Sequence, residues 1–596
     1  MARFADRPWL EDARQYTSFL TDVRRDYHRL ALADVFPTLG AMFEAGEAVQ
    51  ARSARAQLEA LRQNPNLSGY VFTQFQDCSW ECSAGIVDVW QEPKRVFATL
   101  RDMNRDLLVL DVKHRCAFLP ATFTADLLLV REHPRAGKGL LRLRVTDALG
   151  SLLYDSGSRP IEAGAEPITM LARDLRWSTD QAGRYAWQAS IATDDEHDEL
   201  PICATQQALY VAPAPAEEHL AVTTIGDLRR AGLLLDAAQI ERGADHDVIV
   251  AGALGDLWLD AAAFACALDL LDAARTGRRI LFLAPPPADS PLASLGLIGS
   301  MQRTSARGSF VGKFHFARAE LPYFTSLPVQ GFLGAEFATV DPDFCLGGWN
   351  DQGVAAGVIE APGKYLGADL ATVQLGTGRL VFSTFRLLDA ERDDAVAVTL
   401  LGNLVRALSR ELTGGAATIP PAPLTRAQML EQYRAARAAR MPFWVAGPFA
   451  SDEQRTGFDR AFAPEAAAFQ PDANWHRVSV APREALDFVQ VLGPAEHSVA
   501  YAVTFVQVAT ERAAILATGS DDGLKLWLNG EQVLGRRALR TLVRGEDQTD
   551  VMLRAGWNEL RAKVDNVAGA WRFALDILTL DGQPMKDVRF ALEPRD

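Results

Sequence analysis

The chain is short of every feature that would mark a disulfide scaffold, a metal protein, a membrane span or a nucleic-acid binder. It has six cysteines in 596 residues, Cys78, Cys82, Cys116, Cys203, Cys266 and Cys345. Only Cys78 and Cys82 lie close together, with no second pair and no histidine beside them, which is not the spacing of a zinc site or of a disulfide framework. All six are expected to be plain thiols, and no metal or other cofactor is expected. No apolar run approaches the roughly 20 residues that cross a bilayer. The opening residues Met1 to Pro8 lack the apolar stretch and cleavage site of a signal peptide, although a longer parent would carry such a signal further upstream. There is no block of lysine and arginine, and the formal net charge is −15. An acidic surface of this kind repels phosphate backbones and anionic lipid, so neither nucleic acid nor membrane is an expected partner.

What is present is ordinary globular material, 48% hydrophobic and 23% charged. It is enough for about three to five domains. Residues 1–104 read as helix, helix, strand, loop and helix. Phe36, Leu39, Met42, Phe43, Val49, Leu58 and Leu61 recur at helical spacing between Asp34 and Gln63, and Asn64-Pro65 ends that helix. Gly69 to Phe75 has the pattern of a short buried strand, and a further helix carries Val96, Phe97, Leu100 and Met103. Residues 105–213 read as all-β, with strands Leu107–Val112, Phe123–Val130, Leu140–Val145 and Tyr185–Ile191 in a sandwich of about 100 residues. Ala212 to Ala216 reads as a linker. Residues 218–413 alternate strand and helix: Asp247–Ala251, Leu257–Arg275, Arg279–Ala284, Arg379–Thr384 and Val396–Leu412. That alternation predicts an open, mainly parallel sheet with helices on both faces. Residues 414–440 form a second linker and a short helix from Thr425 to Arg440. Residues 441–596 return to β patterning, where Asn529-Gly530 directly after Leu524–Leu528 signals a hairpin.

The most specific stretch is Arg62-Gln63-Asn64-Pro65-Asn66-Leu67-Ser68-Gly69-Tyr70-Val71-Phe72-Thr73-Gln74-Phe75-Gln76-Asp77, followed by Trp80-Glu81-Cys82, Gly85-Ile86-Val87-Asp88 and Glu92-Pro93-Lys94. It resembles the phrase that family 2 glycoside hydrolases, the β-galactosidase and β-glucuronidase type, carry at the eighth strand of their (β/α)8 barrel. The resemblance implies that residues 1–104 are the C-terminal end of such a barrel and that residues 105–213 are the immunoglobulin-like β-sandwich that follows it. It also implies a carbohydrate partner, a β-glycoside. Gln74, Asp77, Trp80 and Glu81 would fall where barrel enzymes keep substrate contacts, at and beyond the C-terminal end of a strand. For Asp77 and Trp80 the competing reading is scaffold, the aspartate capping the loop and the indole packing beneath it. The two catalytic carboxylates that a retaining glycosidase needs belong to strands four and seven of the family's barrel, upstream of the matched phrase. No catalytic residue is therefore assigned, and Glu81 is not promoted to nucleophile.

Residues 218–413 resemble the class I glutamine-amidotransferase-like domains of several large glycosidases, a flavodoxin-like α/β fold. The turns after the strands, Ala251 to Gly255 and Pro285 to Pro287, hold no Cys, Ser or Thr that could act as nucleophile, so this part is expected to be non-catalytic. Residues 441–596 resemble the galactose-binding-like jelly-roll modules of carbohydrate-active proteins. Trp475, Trp527, Trp557 and Trp571 are stacking faces or core residues there, and Ser520-Asp521-Asp522-Gly523 is a calcium loop or a turn. Two functions follow. One is the C-terminal part of a family 2-type β-glycosidase, inactive until joined to its upstream barrel segment. The other is a non-catalytic carbohydrate-binding or assembly protein, and a homo-oligomer is compatible with either.

Overall fold

The computed structural model describes residues 11–64, 66–67, 69–72, 74–77, 84–132, 134–192, 203–215, 218–286, 290–298, 302–305, 313–347, 349, 353–360, 364–410, 417–418, 424–466 and 469–594. The chain is mixed α and β, built on several sheets, and forms two compact units. One contains residues 1–254 and 266–421, the other residues 255–265 and 422–596. Among the described residues no sheet closes into a barrel.

The first unit opens with helix Glu11–Arg29 and, after a short 3-10 turn, helix Leu39–Arg62. The second helix starts where Thr38 accepts the Ala41 amide on its hydroxyl at 3.0 Å, a side-chain cap for an otherwise unbonded N–H. Its Ala54 and Leu58 meet Val96, Leu100 and Met103 of helix Arg95–Met103 and then Leu107, Val109 and Val130 of the adjoining sheet. The stretch between these helices departs from expectation. No described residue of 69–75 joins a ladder, and the chain makes only the isolated bridges Gln76 to Val87 and Val87 to Pro93. Val71 and Phe75 are 92% and 63% exposed. A strand pattern needs neighbours to supply its hydrogen bonds, and among the described residues this segment joins no ladder, with backbone bonds reaching it at the Phe75 carbonyl from Ile86 and Val87.

A two-sheet sandwich follows. Strands Leu107–Val112, Ala121–Val130 and Ile168–Thr179 form one sheet. Cys116–Phe118, Cys203–Ala212, Gly183–Ala192, Gly137–Asp147 and Leu152–Ala163 form the other. Alternate residues of Ala121–Val130 and Gly137–Asp147 point inward. They bury Phe123, Leu127, Leu129, Leu143 and Val145 around Trp187, the period-two burial of a half-solvated strand.

The eleven-stranded sheet has two halves. Strands Ile240–Gly243, Leu220–Ile225, Val248–Ala251, Arg279–Phe282 and Gly378–Ser383 run parallel in that order. Strand Lys364–Leu375 then lies antiparallel to Gly378–Ser383 and leads into Phe344–Gly347, Val354–Glu360 and Lys313–Ala317. The central parallel strands Val248–Ala251, Arg279–Phe282 and Gly378–Ser383 are buried on both faces, which is why Val248–Ala251 is apolar at every position. Helix Ala395–Ser409 is capped by Asp394, which accepts the amides of Val396 and Ala397. Most of its residues are buried, because it lies between this sheet and the preceding sandwich, where Ala395 meets Tyr210 and Ala212. The free edge is short: Ile240–Gly243 exposes Glu241, Arg242 and Gly243.

In the second unit, helix Arg426–Ala438 begins with a capping box between Thr425 and Gln428. Its Tyr433 stacks on Phe264 at 4.0 Å and donates to the Leu257 carbonyl at 2.9 Å. A seven-stranded sheet centred on Ser498–Val508 and Gly556–Asn566 faces a four-stranded sheet centred on Arg572–Leu578 and Arg512–Ser520. Phe443, Phe488, Leu516, Leu526, Trp571 and Phe573 fill the space between them. Asn529 and Gly530 have φ of 52° and 86°, the left-handed pair that a tight hairpin turn requires. They join Leu528 to Glu531 in register.

Candidate functional site

Residues 75–77 and 84–94 are tied to one another. The Asp77 amide donates to the Val87 carbonyl at 3.0 Å, the amides of Ile86 and Val87 donate to the Phe75 carbonyl, and the Lys94 amide donates to the Ile86 carbonyl. Asp88 accepts the amides of Trp90 and Glu92 on one oxygen, at 2.8 Å each, the self-contained turn that an aspartate side chain makes. The Asp77 carboxylate is nearly dry, and it accepts the Gly85 amide at 2.7 Å and Lys94 Nζ at 3.0 Å on both oxygens. Burial pushes its acidity up from the ordinary aspartate value, and Lys94 and the Gly85 amide pull the other way. Gly85 is required here, since a Cβ would sit 2.3 Å from the Asp77 nitrogen and 2.6 Å from the Gln76 carbonyl carbon.

Of the four expected sugar contacts, the structure describes two. Gln74 is half-buried and donates from its amide to the Gln76 carbonyl at 2.8 Å. Asp77 lies close by, engaged with Gly85 and Lys94. Trp80 and Glu81 lie outside the described residues, as do Cys78 and Cys82.

The remaining cysteines, Cys116, Cys203, Cys266 and Cys345, form no disulfide. Burial raises all four, Cys203 and Cys345 to about 12 and Cys116 and Cys266 in the same direction. A thiol held up in this way is a poor nucleophile. Among the described residues no group of three or more His, Cys, Asp or Glu side chains is placed to hold a metal ion.

In the second unit the Asp521–Gly523 segment is a bonded turn. Asp522 accepts the Arg540 and Val567 amides, and the Gly523 amide donates to Asp565, which also takes Arg455 at 2.7 Å. Trp571 is fully buried, with its indole N–H on the Val564 carbonyl, whereas Trp475, Trp527 and Trp557 are half-buried. A cleft of about 230 Å³ opens between the two sheets, lined by Met441, Phe443, Phe573, Ile577, Met585 and Phe590 and by the Arg544–Asp576 pair. None of the four tryptophans lines it.

Sequence reasoning missed a second polar centre in the first unit. Asp369, wholly buried, accepts from His315 Nδ1 at 2.7 Å. These residues are 54 apart in the chain, so no local motif links them. The available signal was a lone carboxylate inside the small and apolar run Gly367-Ala368-Asp369-Leu370-Ala371.

No family model matches the sequence, and no curated protein matches it. Parts of the chain do match solved structures, glycosidases and sugar-binding domains among them. A β-D-mannosidase from Dictyoglomus thermophilum is 15% identical over 28% of this chain and 19% of its own, with a TM-score of 0.21. A β-glucuronidase from Faecalibacterium prausnitzii is 15% identical over 21% of each chain, with a TM-score of 0.15. A PA14 sugar-binding domain from an RTX adhesin is 11% identical over 25% of this chain and 94% of its own, with a TM-score of 0.18. The chain spans about half the length of other matched structures, 54% of an antifreeze-protein PA14 domain and 48% of an anti-sigma factor domain-containing protein.

Proposed function

We propose that this chain is the C-terminal part of a family 2-type β-glycosidase, inactive alone, which completes a sugar site when its loop 74–81 meets an upstream barrel segment. In this reading Gln74, Asp77, Trp80 and Glu81 border the sugar. The 105–213 sandwich is the immunoglobulin-like domain, residues 218–413 are a non-catalytic amidotransferase-like domain, and residues 441–596 are a jelly-roll carbohydrate module. The observation that carries the reading is the uncovered apolar stretch Leu67, Val71 and Phe75 beside the bonded residues Gln76, Asp77 and Gly85 to Lys94. An extended segment with a strand pattern and no ladder partner among the described residues is built to be paired. The test is to assay the chain on chromogenic β-galactosides and β-glucuronides, alone and after co-expression with the barrel segment encoded upstream. Turnover only in the joint preparation supports the proposal. Turnover by the isolated chain, or strong amide protection of residues 67–75 in it, refutes the proposal.

A second reading has its own support. Because the Asp77 carboxylate is engaged by Gly85 and Lys94, the motif also fits a non-catalytic carbohydrate-binding or assembly protein. That reading expects sugar binding with no turnover in either preparation.

A further inference from the structure

The cleft in the C-terminal sandwich is larger than close packing leaves by accident. Its volume is about 230 Å³, whereas protein interiors hold few voids bigger than a water molecule. Its cause lies at the sheet edges. The edge strand of the four-stranded sheet, Leu486–Asp487, is two residues long and pairs with Phe573 and Arg572. The neighbouring strand Arg572–Leu578 continues past it, so Leu575 and Ile577 border a gap instead of a sealed edge.

The walls are graded. Phe443, Leu486, Phe573 and Ile577 belong to the buried core, while Pro482, Arg483, Glu484 and Pro584 are exposed. The rings of Phe443 and Phe573 meet edge to face, 6.2 Å apart. Met441, Met585 and Phe590 also line the space. Ring edges and thioethers are surroundings that a further aromatic ring prefers. Arg544 holds Asp576 by two bonds, from Nε at 2.6 Å and from Nη2 at 2.7 Å, and donates from Nη1 to the Glu484 carbonyl at 3.1 Å. The two side chains are 28% and 32% exposed, so the pair is within reach of a ligand. The charges of the lining cancel, Arg483 and Arg544 against Glu484 and Asp576. A cavity of about 150 Å³ lined by Leu, Ile and Phe takes up benzene, so this larger one has room for a single ring with a small substituent.

We propose that this cleft binds a small neutral phenol, with its ring against Phe443, Phe573 and Met585 and its hydroxyl on the Arg544–Asp576 pair. The chemistry selects the class. A hydroxyl suits the pair because it can donate to a carboxylate oxygen or accept from the guanidinium. A sugar would bring several hydroxyls against Phe443, Leu486 and Ile577, where they would lose water without gaining a partner. A carboxylate would meet Asp576, and an ammonium would meet Arg544. The site is separate from loop 74–81, and the inference does not rest on the barrel reading.

The test uses the full chain, with p-cresol, toluene and 4-methylbenzoate as probes, followed by saturation-transfer NMR and calorimetric titration. p-Cresol is expected to bind saturably, and about tenfold more tightly than toluene, the scale of one hydrogen bond to a charged group. A purely apolar site would reverse that order, because water holds the phenol hydroxyl back. 4-Methylbenzoate is expected to bind at least tenfold more weakly than p-cresol. Ala481→Trp, at a half-buried position of the lining, fills the space and should weaken p-cresol by about tenfold or more, with an unchanged far-UV spectrum. Should that variant fail to fold, Val588→Trp, which lines the same cleft, carries the test. The proposal is overturned if p-cresol does not saturate, which leaves water as the occupant, or if toluene or 4-methylbenzoate binds as tightly as p-cresol. It is equally overturned if p-cresol binds and the folded tryptophan variant leaves its affinity unchanged, which puts the ring elsewhere in the chain.

Discussion

Replacing Lys94 by methionine keeps the length and the apolar stem of the side chain and removes only its charge. The side chains of Asp77 and Lys94 are 7% and 9% exposed, so the carboxylate left behind is nearly dry. Breaking a buried ion pair from one side costs about 3–5 kcal/mol. The Gly85 amide stays on Asp77 and retains part of the stabilisation, so the lower figure, about 3 kcal/mol, is expected. The chain has several cores, and a whole-chain melt would blur a local effect. Hydrogen exchange at the amides of Asp77, Val87 and Lys94 reads the block directly, because each bonds within it. At about 1.4 kcal/mol per factor of ten, protection should fall by about 100-fold or more. The double variant Asp77→Asn, Lys94→Met removes both charges and should recover most of that loss. A fall of less than about fivefold in the single variant, or a double variant no better than the single, would show that the pair does not hold the loop.

Three further outcomes are expected. Because burial holds the Asp77 carboxyl above its ordinary value, the folded loop binds the proton more tightly than the unfolded chain. Its protection should therefore be greatest below the ordinary aspartate value of about 3.9 and decline as pH rises through the folded value; Asp77→Asn should flatten that slope. Gly85→Ala puts a Cβ against backbone atoms of Gln76 and Asp77, so exchange at the same three amides should accelerate at least as much as in the lysine variant. Trp571→Ala removes a fully buried indole packed 5.2 Å from Phe488. It should destabilise the C-terminal sandwich by about 3–5 kcal/mol, read by hydrogen exchange at the Phe488 and Asp565 amides, which bond within it; a loss under about 1 kcal/mol contradicts the packing.

Much of the fold was legible because its signals are local. The run Leu107–Val112, the alternation in Leu524–Leu528, the Asn529-Gly530 turn and the helix starting at Thr425 all depend on neighbours within a few residues, and the structure has each of them. Other elements were hidden by composition. Leu152–Ala163 is a long strand with most of its side chains in solvent, so it has no apolar stripe to read. Val354–Glu360 is buried almost throughout and rich in alanine, which removes the alternation. The expected strand 69–75 shows the converse case: its pattern is right, but pairing is a property of neighbours, and none is present among the described residues. The candidate loop was legible as a motif, yet the engagement of Asp77 with Lys94 and Gly85 was not, because the carboxylate's partners lie 8 and 17 residues away across a turn. The Asp369–His315 pair bridges separate strands, and the lone carboxylate in the run Gly367 to Ala371 was its one local sign.

The brevity of Ile240–Gly243 has a consequence for solution behaviour. A parallel sheet ends there, and its outermost strand offers four residues carrying one acidic and one basic side chain into solvent. A second chain that tried to extend the sheet would gain few backbone bonds and would have to strip water from both charges. Exchanging Glu241 and Arg242 for valine would remove that guard and turn a terminus of the sheet into a seed for stacking chain upon chain.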